Sequence, residues 1–527
     1  MSKLNIGIAG LGNVGSALVE TIEENKNYFF DKTDIELNIV GISARTKNKK
    51  RNFNISNYTW YDDPIEMSKD DNCNVIVELI GEEKGISYEI IETALKNKKH
   101  VVTGNKALIA KHGHYLALLA EEQQVCLNFE AAVAGAIPII KAIKESLSGN
   151  VISKVYGVIN GTCNYILTQM EKEEKEYASI FKKAQQLGYV EKDPQLDVGG
   201  IDSAHKISIL TTCAFGTRIN FENVITNGIQ NISLIDIKNA FSMGYKIKLM
   251  ALALRSDDGI IQEVEPCLVP KDSIFGKLEG GTNLVMVEGD FSGRTYYMGP
   301  GAGSGPTASA VIADIIDIAN GKKSCVFGMN ANLLELPVNK KKEFPSSFYL
   351  RFLLTDKPGT LAQLSSILGK YEISINRMKQ LHHIGETAPI LIVTHPTTKN
   401  LLKPANEEIN TDDSFNKVVS YQRSPTDSVR ATDDVNGAAI DDDQNIQFVK
   451  VTNDSSGASD NFSRALTYQR EFDDSAGVSD QPSKAVSFTR TDTFALQDAL
   501  SKVVAFVRSF ADQSETKELV AKQYGKL

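Results

Sequence analysis

From Leu187 to Lys206 the chain reads LGYVEKDPQLDVGGIDSAHK, a stretch dense in groups that bind a polar substrate and move a proton. Glu191, Asp193 and Asp197 fall where Gly188, Pro194 and Gly199-Gly200 predict a loop. The apolar-periodic run that follows, IDSAHKISIL, predicts a helix. Asp202 and Lys206 are four residues apart in it and share one face. Carboxylates at this density suit the binding of a polar substrate. A lysine beside them suits protonation of an oxygen that gains charge during reaction. The competing reading is a solvated i,i+4 ion pair of no functional interest.

Such groups need a scaffold, and the N-terminus predicts one. Leu4 to Ala9 is a short apolar strand, followed by Gly10-Leu11-Gly12-Asn13-Val14-Gly15 and the helical SALVETIEE. A GxGxxG between strand and helix is the context in which it holds a dinucleotide pyrophosphate on the helix N-terminus. The second predicted strand, Leu37 to Ser43, ends without the acidic residue that accepts from a ribose 2′-hydroxyl. It leads instead into Arg45, Lys47, Lys49, Lys50 and Arg51. A guanidinium at that point favours a 2′-phosphate, hence NADP over NAD, unless the basic run is only solvated loop. Two later strands place Ile80 and Gly81, then Thr103 and Lys106, at the C-terminal edge of the sheet where ligands bind. Lys106 is expected to point into that crevice and take part in chemistry.

Farther on, VCLNFEAAVAGAIPII contains one charge, Glu130, in apolar surroundings. An isolated buried carboxylate is costly without a partner. Either a hard cation held with nearby main-chain carbonyls or a set of hydrogen bonds would supply one. Cys163 lies in KVYGVINGTCNYI, where it is either a thiolate nucleophile or a small residue buried at a helix start. Alternating runs at KIKLMALALR, IIQEVEPCLV and FSGRTYYMG predict an antiparallel sheet with helices on one face. The glycine-rich GPGAGSGPT around Gly303 then opens a last helix able to return to the dinucleotide.

These motifs together resemble homoserine dehydrogenases. GLGNVG, VVTGNKALIA, FEAAVAGAIPII, NGTCNYIL, GYVEKDPQLDVGGIDSAHK and GPGAGSGPTASAV occur in that family's order over about residues 1 to 330. Cys163 stands where the commonest form of the fourth motif has threonine. The resemblance implies reversible NAD(P)H-dependent reduction of aspartate 4-semialdehyde to homoserine. It implies Lys206 as proton donor, assisted by Asp202 and Lys106, with the substrate held by Gly188, Glu191, Asp197 and Asp202. It places the dinucleotide on Gly10, Gly12, Asn13, Val14, Gly15, Arg45, Ile80, Gly81, Thr103, Lys106 and Gly303. It also implies a sodium ion on Glu130, Val133, Gly135 and Ile137, and a homodimer or homotetramer.

After the linker-like NKKKEFPSS, the stretch from Phe348 resembles an ACT domain, an amino-acid-sensing module of βαββαβ order. Its pattern runs out near His395, so an incomplete module over 348–398 is expected, with threonine as its possible effector. From 401 the composition shifts to Asp, Ser and Thr. Units such as SFNKVVSYQR, NFSRALTYQR, PSKAVSFTR and LSKVVAFVR recur. They predict an acidic array of strand-like repeats, and they are similar to repeats of phage structural proteins. A disordered tail and a fusion of unrelated segments are the other two readings.

The expected fold class is therefore α/β. A doubly wound parallel Rossmann sheet (1–128) is followed by an α+β substrate and dimerisation domain (129–335), the ACT-like module and the repeat tail (401–527). A chain of 527 residues is too long for one core. A net charge of −9 gives no electrostatic case for nucleic acid. No apolar stretch of about 18 residues predicts a membrane span. Six cysteines without CxxC spacing argue for a reducing cytoplasm.

Overall fold

The computed structural model describes residues 2–190, 194–256, 259–337, 345–381 and 387–411. It also describes the strand backbones at 415–423, 439–440, 446–447, 468–471 and 486–489. Residues 1–428 and 429–527 are two separate compact units.

The first layer alternates strands and helices. It runs β1 (Ser2–Ala9), α1 (Asn13–Glu24), α2 (Lys26–Thr33), β2 (Ile35–Ser43), β3 (Thr59–Trp60), α3 (Pro64–Lys69) and β4 (Val75–Glu78). It continues through α4 (Ile86–Lys96), β5 (His100–Thr103), α5 (Lys106–Glu122) and β6 (Leu127–Asn128). The six strands are all parallel, in the order β3-β2-β1-β4-β5-β6. Chain direction away from β1 reverses between β2 and β4, which opens a crevice at their C-terminal ends. Both faces of the sheet must be covered, so its strands are continuously apolar: Val75, Ile76 and Val77 are fully buried.

The second part begins with a short helix α6 (Ile139–Lys141) and β7 (Ile152–Val158). The helices α7 (Gly161–Glu173), α8 (Tyr177–Gln186), α9 (Pro194–Val198) and α10 (Ile201–Phe215) follow. Then come β8 (Ile225–Thr226), α11 (Leu234–Ser242), β9 (Tyr245–Ser256), β10 (Gly259–Pro270), β11 (Thr282–Gly289), β12 (Gly293–Pro300) and α12 (Ser304–Ala319). Strands β12, β11, β7, β9 and β10 pair antiparallel. Helices α7, α10 and α11 lie against them. Helix α10 is buried along almost its whole length, including Asp202 and Lys206. The last helix, α12, leaves this sheet and packs on α1, burying Val311 and Ile315 with Leu18 and Ile22 of the dinucleotide layer.

The third part corrects the expected truncation. It consists of β13 (Phe348–Thr355), α13 (Thr360–Lys370), β14 (Ile375–Gln380), β15 (Thr387–Thr394), α14 (Lys399–Thr411) and β16 (Phe415–Arg423). The βαββαβ order is thus complete, with strands arranged β16-β13-β15-β14. Leu402, Ala405 and Ile409 of α14 are buried with Leu350, Phe352 and Ile392. Packing of that face holds the helix although Pro404 lies inside it. The supposed first repeat, SFNKVVSYQR, is the closing strand β16. It pairs antiparallel with β13 and parallel with β10, joining the two sheets. Ahead of the remaining units, β17 (Ala439–Ile440) pairs β18 (Ile446–Gln447); the units NFSRALTYQR and PSKAVSFTR carry β19 (Tyr468–Glu471) and β20 (Val486–Thr489), which pair with each other. The copy ending at Arg508 lies outside the described residues.

Candidate active site

The glycine loop has the form a pyrophosphate requires. Gly10 adopts φ +104°, and a Cβ on Gly15 would lie 1.9 Å from the Gly10 carbonyl oxygen. A Cβ on Gly12 would meet nothing within 4 Å, and no side chain caps the N-terminus of α1 that starts at Asn13 and Val14. Unclaimed N–H groups there can receive a phosphate. Arg45, just past β2, is exposed and pairs with Glu82 at 3.2 Å. Gly303, at φ +122°, precedes α12.

Glu78, at the end of β4, organises the crevice and escaped the sequence reading. One carboxylate oxygen accepts from Ile80 N (2.8 Å) and Gly81 N (3.0 Å), and the other accepts from the Thr103 hydroxyl (2.7 Å). Thr103 Oγ1 in turn accepts from Asn105 N. Thr103 is fully buried, so its hydroxyl braces the crevice from below. Asn105 caps α5 by accepting from Leu108 N, which sets Lys106 as the first residue of that helix.

Lys106 meets the second part of the chain here. Its Nζ lies 3.0 Å from Asp202 Oδ1, and Lys206 Nζ lies 2.7 Å from Asp202 Oδ2. Lys206 also donates to the Ile159 carbonyl at 2.8 Å. Burial alone would raise the Asp202 pKa, but the two ammonium groups outweigh it and hold the carboxyl well below the usual range. A cavity of about 110 Å³ is lined by Gly81, Gly104, Asn105 and Lys106 from one side and Leu196, Asp197, Asp202 and His205 from the other. Asp197 lies on α9, a short helix where a loop was expected. His205 packs against Phe221 with ring centroids 4.4 Å apart and the planes tilted by 31°, and burial lowers its pKa to about 4.

Asn160 was missed. In the sequence it stood only as the first residue of the motif NGTCNYIL. Its Nδ2 donates to both Asp197 Oδ1 (3.1 Å) and Asp202 Oδ2 (2.9 Å). Gly188 ends α8 with φ +76°, and it is not among the cavity-lining residues. Glu191 and Asp193 lie outside the described residues. Cys163 is fully buried, and its Sγ contacts the Asp197 carbonyl. Burial first, then the charges of Asp197 and Asp202, push its thiol well above the ordinary value. It is the small buried helix-start residue of the two readings.

Glu130 is partnered by hydrogen bonds. Its carboxylate accepts from Ile140 N (2.9 Å) and Lys141 N (2.8 Å), while its own N–H donates to Asp314. The nearby carbonyls of Val133 and Gly135 are buried and receive no hydrogen bond among the described residues. Ile137 O accepts from Ile139 N at 2.8 Å.

A dinucleotide crevice that opens directly onto a buried lysine–carboxylate cluster defines an oxidoreductase with an NAD(P)-binding domain. Comparison with known proteins gives the particular family. Residues 10–130 match the homoserine dehydrogenase NAD-binding domain, 138–316 the homoserine dehydrogenase family model and 348–412 the ACT domain. The homoserine dehydrogenase of Neisseria gonorrhoeae is 38% identical over 431 residues, covering 80% of this chain and 99% of that one. That of Helicobacter pylori is 38% identical over 413 residues, covering 77% and 95%. The crystal structure of a homoserine dehydrogenase from Thiobacillus denitrificans superposes with a TM-score of 0.75 at 35% identity, covering 80% of this chain and 99% of that one. A hyperthermophilic archaeal homoserine dehydrogenase in complex with NADPH superposes with a TM-score of 0.54 at 28% identity, covering 61% and 99%. The chain belongs to the homoserine dehydrogenase family, which reversibly reduces aspartate 4-semialdehyde to homoserine with a nicotinamide dinucleotide.

Proposed function

We propose that the cavity between Gly81, Lys106 and Asp202 is where the semialdehyde is reduced, and that Lys206 supplies the proton. The carrying observation is that Asp202, held between two lysines, lines the same cavity as the crevice glycines Gly81 and Gly104. The dinucleotide, when bound, supplies the hydride. Lys206 then protonates the oxygen that gains charge, a contribution of about 10²–10⁴ in rate. Asp197 and Asp202, with Glu191 and Gly188, grip the hydroxyl and ammonium of the substrate. Lys106 stands at the entrance of the crevice and orients Asp202.

The exposed guanidinium of Arg45 supports NADP as the preferred dinucleotide, with Ile80, Gly81 and Thr103 forming or bracing the crevice. The bare N-terminus of α1 and the open space at Gly12 fit its pyrophosphate. A sodium ion fits the buried, unclaimed carbonyl oxygens of Val133 and Gly135, since hard cations take oxygen ligands. Glu130 would join through its main-chain oxygen, which accepts one long bond from Val133 N (3.3 Å), and Ile137 through its carbonyl. The complete βαββαβ module supports an amino-acid effector, threonine. A homodimer or homotetramer in the cytoplasm completes this reading. Among the described residues no helix is long and apolar enough to cross a membrane, and six cysteines are free thiols.

The test follows NADPH oxidation with aspartate 4-semialdehyde, repeated with NADH and with threonine added. Turnover that is faster with NADPH supports the reading. Absence of turnover with either dinucleotide overturns it.

A further inference from the structure

Asp197 and Asp202 come from different helices, α9 and α10, and both are buried to 6% exposure. Two ionised carboxylates brought together in such a place repel, and each needs donors. Lys106 and Lys206 serve Asp202 from two sides. Among the described residues, Nδ2 of Asn160 donates to both carboxylates, at 3.1 Å from Asp197 Oδ1 and 2.9 Å from Asp202 Oδ2.

The orientation of this amide is not arbitrary. Asn160 is the N-cap of α7, and its Oδ1 accepts from Cys163 N at 2.8 Å. An amide whose oxygen is held by a helix N–H must turn its NH₂ the other way. Both N–H bonds of that group then fall on carboxylates. Asn160 is 3% exposed, so solvent offers these carboxylates little substitute at this point. The chain thus uses the start of one helix as a fixed anchor from which to set two acids carried on two others.

We propose that Asn160 is a positioning residue of the substrate site, the neutral clamp that keeps Asp197 and Asp202 adjacent and aimed at an amino-bearing substrate. This rests on the reading of the cavity as the place where homoserine binds. Asn160 touches no reacting atom. It acts through Asp202 Oδ2, the same oxygen that receives Lys206, so its loss disturbs both the grip on the substrate and the setting of the proton donor.

Two substitutions in the full chain test it. Asn160→Asp keeps the size and the capping oxygen but replaces the NH₂ donor with a third negative oxygen. Asn160→Ser also keeps a capping oxygen. It adds no charge, and its shorter side chain withdraws the NH₂ from both carboxylates. Losing a hydrogen bond to a charged group lowers kcat/KM for homoserine by about 10- to 100-fold in both variants. KM for homoserine rises and KM for NADP stays within about twofold in both variants, while Tm falls modestly in Asn160→Ser and further in Asn160→Asp, which buries an added charge. A lesion that is merely structural would move both Michaelis constants and Tm together. Retention of the wild-type homoserine KM in Asn160→Ser overturns the proposal, since any loss in Asn160→Asp would then be charge repulsion alone. Parallel loss of Tm and NADP binding in both variants overturns it as well, leaving Asn160 a helix cap only. If the wild-type chain does not oxidise homoserine at all, the assignment of the cavity fails first and the proposal with it.

Discussion

Lys106 and Asp202 are joined by a 3.0 Å ion pair across the boundary between the dinucleotide-binding part and the substrate part. They lie on α5 and α10, helices that pack against each other. The contact ties the crevice side carried by α5 to α10, the helix that bears Lys206, the proposed proton donor.

Lys206→Ala should lower kcat by about 10²-fold or more, since it removes the proposed proton donor. Binding of NADPH, followed by its fluorescence, should be nearly unchanged. Near-normal turnover in this variant would remove Lys206 from its assigned role.

Asp202 has a pH signature. Its folded pKa is depressed below the unfolded value of about 3.9, so its ionised form adds stability above pH 4. That contribution is lost as the pH falls through the folded value. Asp202→Asn breaks a buried pair and should cost about 3–5 kcal/mol at pH 7. In denaturant titrations the gap from wild type should narrow below about pH 4. A constant gap from pH 7 to pH 3 would mean that the carboxylate is not held by the two lysines.

Arg45→Ala should raise KM for NADPH by about tenfold, the loss expected for one charge-assisted contact, and leave KM for NADH nearly unchanged. Glu82, its partner at 3.2 Å, is exposed and can release it to a phosphate. Equal effects on both dinucleotides would place Arg45 outside the recognition of a 2′-phosphate.

Cys163→Ala should keep turnover within a few-fold. A fully buried thiol whose pKa is raised cannot serve as a thiolate nucleophile at neutral pH. Phosphate-dependent oxidation of the semialdehyde, abolished in Cys163→Ser, would instead identify an acylating dehydrogenase.

A chain ending at Ser428 should keep both the Tm of the main transition and the activity, since the compact unit closes there. A chain ending at residue 398 removes α14 and β16. It should lose stability by several kcal/mol, because Leu402, Ala405 and Ile409 leave the third core and β10 and β13 lose a partner. Equal stability of the two truncations in calorimetry would count against β16 as an integral strand.

The dinucleotide layer was legible in the sequence because its signals are local. A strand, a glycine turn and a helix within the first 24 residues carry their own reason for being there, as do the four-residue spacing of Asp202 and Lys206 and the lone charge of Glu130. The end of the ACT module was not legible. Pro404 and the polar composition of α14 argue locally against a helix, and only the apolar face formed by Leu402, Ala405 and Ile409, buried on distant strands, outweighs them. The partners of the buried charges were equally hidden. Glu130 is satisfied by amides ten and eleven residues on, Asp202 by a lysine 96 positions away, and Glu78 by a threonine one strand over. Residue types and periods decide which groups a chain must bury. Which donor meets each of them is decided by helix packing and strand order, contacts between positions far apart in the chain that no local pattern encodes.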